Sequence, residues 1–135
     1  MKKFEFLEHT ADIKFKAYGK NINEIFESCT LAFSSYISRE KKIKSKIEKQ
    51  IKIEADNHEQ LLYKFLDELI YLLDADKFIV SKAKVQIADN KLTALLEGDS
   101  ALNYKDLDHV KAATYAEMYI KQDLKGWEAQ VVLDV

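Results

Sequence analysis

Glu8-His9-Thr10-Ala11-Asp12 crowds two carboxylates, an imidazole and a hydroxyl into one short segment. Such groups bind metals or move protons, and loops between strands are common places to display them. An ordinary turn uses the same residues, with Thr10 and Asp12 bonding local backbone. A second candidate is the run Trp127-Glu128-Ala129-Gln130-Val131-Val132-Leu133-Asp134-Val135. Termini usually fray and are polar, yet Val131, Val132, Leu133 and Val135 ask for burial, and Asp134 adjoins the α-carboxylate of Val135. A buried or half-buried pair of carboxylates repels itself, and a cation relieves that repulsion. If Asp134 and the Val135 carboxylate lie near Asp12, the oxygens form a hard-cation site suited to Ca²⁺ or Mg²⁺. His9 joining them would tilt the site toward a transition metal. The competing reading has Asp134 facing solvent.

Other chemistry is sparse. The chain contains no Walker A loop, GxGxxG, HExxH or GxSxG motif and no zinc-type cysteine cluster. Cys29 falls on the apolar stripe of a helical pattern and reads as a packed core thiol. His58 is expected to be an exposed residue at a helix start. His109 follows Asp108 at a strand entrance and reads as ordinary surface.

The elements that must position these groups follow from periodicity. Phe4 and Phe6, then Ile13, Phe15 and Ala17, alternate with polar residues as two strands flanking the HTAD turn. Ile25, Phe26, Cys29, Ala32, Phe33 and Tyr36 recur at helical spacing, with Asn21 or Asn23 as N-cap. The Lys-rich run from Arg39 to Lys49 reads as a solvated connector leading into a strand at Ile51 and Ile53. Asn57 with Gln60 resembles a capping box opening a second helix through Leu73, the most apolar segment. Ile79 to Ile87 and Leu92 to Leu96 read as a hairpin around Ala88-Asp89-Asn90-Lys91. Val110 to Ile120 reads as one long strand. A turn at Lys125-Gly126 precedes the last strand, Trp127 to Val135. These elements predict an α+β fold, mostly antiparallel sheet layers packed with two main helices.

The chain has 135 residues, the size of one domain, with no proline and three glycines, so residues 1–135 read as a single domain. It carries 21 basic and 23 acidic residues, a net charge of −2, and Arg39 is its lone arginine. A generic electrostatic grip on nucleic acid needs a surplus of cations and is not expected. The early acidic residues, the single cysteine and the lack of a long apolar run predict a cytoplasmic protein without a membrane span.

Phe4-Glu5-Phe6-Leu7-Glu8-His9-Thr10-Ala11-Asp12 with Ala17-Tyr18-Gly19 resembles the opening signature of the archease family. Leu66-Asp67-Glu68-Leu69-Ile70-Tyr71-Leu72-Leu73-Asp74 is similar to its central helix. Val110-Lys111-Ala112-Ala113-Thr114-Tyr115 and Gly126-Trp127-Glu128-Ala129 through Asp134-Val135 are similar to its two closing strands. The resemblance implies an accessory protein, not itself an enzyme, that activates an RtcB-type tRNA-splicing RNA ligase. It would promote guanylylation of the ligase and repeated turnover, meeting tRNA only through that partner. It also implies a bound divalent cation, Ca²⁺ first, with Mg²⁺ or Mn²⁺ as alternatives. Its ligands would be Asp12, Asp134 and Val135, with Lys111 as a candidate functional charge; His9 is a further candidate on its residue type. Two positions depart from the family pattern. Ala116 stands where histidine is common, so no role tied to that histidine carries over. Lys14 stands at an often small position and is expected only to alter an exposed strand face. Two other functions remain open: a stand-alone metal-dependent phosphoester hydrolase with His9 as base, and a chaperone-like module binding chains through its sheet edges.

Overall fold

A computed structural model describes residues 2–8 and 12–135. Seven strands and two long helices run in the order β1 (Phe4–Leu7), β2 (Asp12–Gly19), α1 (Ile22–Ser38), β3 (Ile47–Glu54), α2 (His58–Asp76), β4 (Phe78–Ala88), β5 (Lys91–Ser100), β6 (Ala112–Asp123) and β7 (Gly126–Asp134). A 3₁₀ turn, Ala101–Asn103, follows β5. The strands form two wholly antiparallel sheets, ordered β1-β2-β7-β6 and β3-β5-β4.

Both helices begin where an asparagine side chain replaces a missing backbone partner. Asn21 Oδ1 accepts the Glu24 N–H at 2.9 Å, and Asn57 Oδ1 accepts that of Gln60 at 2.8 Å. Gln60 Oε1 reaches back to the Asp56 N–H at 2.7 Å, a box displaced by one residue. His58, the first residue of α2, is half-buried rather than exposed as expected. It shares a surface pocket with Asn90, Ile120 and Trp127.

Each helix touches both sheets, so the helices form the middle layer of a β/α/β sandwich. Phe26 of α1 and Phe65 of α2 meet at 5.7 Å between ring centres, and both are fully buried. Cys29 is also fully buried; desolvation pushes its thiol up, which fits a packing role. The run after α1 lacks regular structure up to β3, with Ile43 tucked into the core. At the β4–β5 turn Asp89 and Asn90 both take positive φ, 51° and 61°, the backbone of a tight two-residue hairpin.

The expected strand Val110–Ile120 is corrected in two ways. It starts at Ala112, and its pairing with β7 breaks between Thr114 and Tyr119. The intervening residues bulge out, with Glu117 at φ 56°. Gln130 Nε2 donates to the Glu117 carbonyl at 2.8 Å, and the Ala116 N–H donates to Thr114 Oγ1 at 2.9 Å. No helix among the described residues is long and apolar enough to cross a membrane.

Candidate functional site

β7 lies between β2 and β6, and this brings together acidic residues far apart in sequence. Asp12 stands directly opposite Asp134, and Asp134 opposite Ala112. Directly opposed residues share a face of an antiparallel sheet, with Cβ atoms about 4.5–5.5 Å apart. Alternation assigns that face. Phe15 and Ala17, with Val131, Leu133 and Ala129, are buried toward the helices. Asp12, Lys14, Lys16 and Tyr18 therefore point outward together with Asp134, Val132, Gln130 and Glu128.

The acidic pair sits at the edge of the sandwich, not inside it. Asp134 is exposed, Asp12 is half-buried, and Val135 is partly covered. Asp134 faces solvent, as the competing reading had it, so Asp134 and Val135 do not form a buried pair. The fit to a hard cation rests instead on the donors themselves. Two like charges opposed across strands destabilise each other, and oxygen donors alone suit Ca²⁺ or Mg²⁺. Among the described residues no three His, Cys, Asp or Glu side chains are grouped to hold an ion. His9, with Thr10 and Ala11, lies outside the described residues. Lys111 is exposed and precedes β6 rather than sitting within it; its N–H donates to the Asp134 carbonyl at 2.8 Å.

Beyond the pair, the outer face is a charge network. Lys16 and Lys121 approach Glu128 at 3.9 and 3.6 Å, and the Tyr119 hydroxyl donates to Glu128 Oε2. Burial, then the charge and hydrogen bond of Glu5, push Tyr18 up to about 12, and burial with the Glu128 bond raises Tyr119. Both phenols stay protonated donors at neutral pH. Lys14, expected to lie on an exposed face, has a side chain only 18% exposed and bonds Glu117 at 3.0 Å. Val132 is buried although it faces away from the helices, because the Lys14 and Gln130 contacts to Glu117 bracket it. Beside the acidic end, Phe6, Leu7, Ile13, Lys14, Tyr36 and Arg39 contribute to a cavity of about 360 Å³.

Sequence reading missed the latch that orders the approach to Lys111. Asp99, 3% exposed, accepts the Tyr104 hydroxyl and the Ser100 N–H at 2.8 Å each, and Asn103 Nδ2 at 3.1 Å. Tyr104 in turn accepts the Lys44 N–H at 2.9 Å. Farther along, the Asp108 N–H donates to the Ile37 carbonyl at 2.7 Å, and Arg39 bonds the Asp108 carboxylate at 3.1 Å. The Tyr104 hydrogen bond, ahead of the Ser100 and Asn103 bonds, holds the Asp99 carboxyl below the usual aspartate range. A depressed carboxyl stabilises the fold above the unfolded-chain pKa of about 3.9, and that contribution is lost as pH falls through the lower folded value. The stability gap between wild type and Asp99→Asn, followed by thermal melts, is expected to be full at about pH 6 and to shrink in the range below about pH 4. A gap independent of pH would show that ionisation of Asp99 contributes nothing.

The Archease protein family (MTH1598/TM1083) model matches residues 4–135. Protein archease of Methanosarcina mazei is 35% identical, over 99% of this chain and 97% of its own. That of Pyrococcus furiosus is 36% identical over the whole of both chains. The solution structure of protein 1598 from Methanobacterium thermoautotrophicum matches with a TM-score of 0.81 at 30% identity, covering both chains completely. The crystal structure of an archease from Thermotoga maritima, termed a possible chaperone, shares the fold with a TM-score of 0.63 at 20% identity, over 96% and 94% of the two chains.

Proposed function

The chain belongs to the archease family, and from that premise we propose that it is a non-catalytic activator of an RtcB-type RNA-splicing ligase, working through a divalent cation at the Asp12–Asp134 end in the cytoplasm. The observation that carries this reading is the register placing Asp12 opposite Asp134 on one outward face. In this reading Asp12, Asp134 and Val135 are the donors, with Ca²⁺ favoured over Mg²⁺ or Mn²⁺. Bound there, a divalent cation supplies a concentrated positive charge at the rim of the protein. The chain's own residues hold that position fixed: Asp134 through β-pairing on both sides, and its carbonyl through the Lys111 N–H. Exposure of Asp134 supports contact with a partner's active site.

An acidic chain with one arginine is poorly equipped to hold tRNA itself, which supports action on the ligase over action on RNA. The chaperone reading is weaker. Edge strand β3 carries Glu48, Lys49, Lys52 and Glu54, and charges on an edge oppose addition of a foreign strand. The test is to add the protein to an RtcB-type ligase and follow formation of the ligase–guanylate adduct. Stimulation that disappears with chelator and returns with Ca²⁺ or Mn²⁺ is expected. Stimulation indifferent to chelator would refute the cation, and none under any condition would refute the activator. Phosphoester turnover without ligase would favour the hydrolase.

A further inference from the structure

Lys14 follows Asp12 by two residues, on the same outward face and one row along the β2–β7 ladder, opposite Val132. At about 3.3 Å per residue that row is about 7 Å from the acidic pair. Its side chain is mostly covered and cannot simply relax into water. At that backbone spacing a lysine charge acts on a cation bound by Asp12 and Asp134, and acts less as salt screens it. The direction in which the ammonium leans is set from β6: the bulge carries Glu117 across the outer face, and Glu117 Oε1 takes the Lys14 Nζ at 3.0 Å. The bulge is itself pinned by Gln130 of β7, next to Val132.

We infer that the Lys14–Glu117 pair sets the cation affinity of the acidic end. Lys14 is a resident counter-charge that partly neutralises the carboxylates and weakens divalent binding. Glu117 draws that charge toward the bulge. The inference rests on Asp12 and Asp134 being the donors, and it adds a control that those donors alone do not contain. Its signature is two substitutions in contact with each other that act in opposite directions on one binding constant, which loss of structure does not produce.

The experiment is calorimetric titration of metal-free protein with CaCl₂, repeated with MnCl₂. Lys14→Met keeps the aliphatic stem over the sheet and removes the charge. Opposing a divalent charge from the neighbouring row, about 7–10 Å away in a water-like medium, corresponds to an affinity gain of a few-fold. The gain is expected to shrink as KCl is raised from about 0.05 to 0.5 M. Glu117→Gln is expected to weaken binding several-fold, and to do so less in the Lys14→Met background, as coupled neighbours do. Lys14→Gln serves as a second charge-removing variant, and a metal-free melt confirms that each protein is folded. Unchanged or weaker binding by folded Lys14→Met and Lys14→Gln, with binding still abolished by Asp12→Asn, overturns the inference and leaves the donors standing. Absence of binding by the wild-type protein overturns the donor assignment and the inference together.

Discussion

Asp134→Ala is expected to abolish ligase stimulation while leaving the metal-free melting temperature unchanged or slightly higher. Asp134 sits on the exposed end of β7, directly opposite Asp12, and its side chain supports no packing. Removing one member of an opposed like-charged pair relieves repulsion, and surface substitutions of this kind stay within about 0.5 kcal/mol. The backbone bonds that position the residue, including its carbonyl with the Lys111 N–H, survive the change. Cation affinity, by contrast, follows the number of charged donors, and losing one carboxylate of so small a set is expected to weaken binding at least about tenfold. Asp12→Ala is expected to abolish stimulation likewise. Added cation should also raise the wild-type melting temperature, since a ligand bound only by the folded state stabilises it, and should not raise that of either variant. Full guanylylation of the ligase in the presence of both variants would remove the acidic pair from the mechanism.

The parts of this arrangement visible in the sequence are those set by local rules. Two helical stripes, their Asn21 and Asn57 caps and the Asp89-Asn90 turn depend on residues within a few positions of one another, and each lies where periodicity and cap chemistry put it. The Lys125-Gly126 turn is equally local: Gly126 takes a φ of 131°, which side chains disfavour. Insertion of β7 between β2 and β6 is a choice among distant partners, and no short-range signal encodes it. The meeting of Asp12 with Asp134 was legible only as a consequence of resemblance and of an apolar tail that required burial. The bulge in β6 carried no mark, because Tyr115 to Met118 contain neither glycine nor proline and read as continuous strand. Lys14 was misjudged for the same reason, since its partner Glu117 belongs to that bulge. The Asp99–Tyr104 latch joins a strand end to an irregular segment, where periodicity has nothing to say.

Phe65→Ala is expected to produce the largest loss of stability, without a matching loss of function at low temperature. Phe65 has no exposed surface and lies in the helical layer against Phe26, with a sheet on either side. Truncation removes the apolar burial and leaves a void that two helices and two sheets cannot all close, a combination that costs about 3–5 kcal/mol. Against a total of about 5–15 kcal/mol for an ordinary domain this is a large share, and it corresponds to a fall in melting temperature of roughly 10–20 °C. Phe65→Leu, which fills more of the space, is expected to recover much of the difference. The acidic pair is held by the β2–β7 ladder at the sandwich edge, so it stays assembled in whatever fraction of Phe65→Ala remains folded. Stimulation by this variant is therefore expected to match wild type well below its melting point and to disappear along the melting curve, whereas stimulation by Asp134→Ala is absent at every temperature. A fall of less than about 3 °C would mean that the core repacks around the void. Loss of stimulation by folded Phe65→Ala would mean that the helical layer, and not the strand ladder alone, sets the geometry of the acidic end.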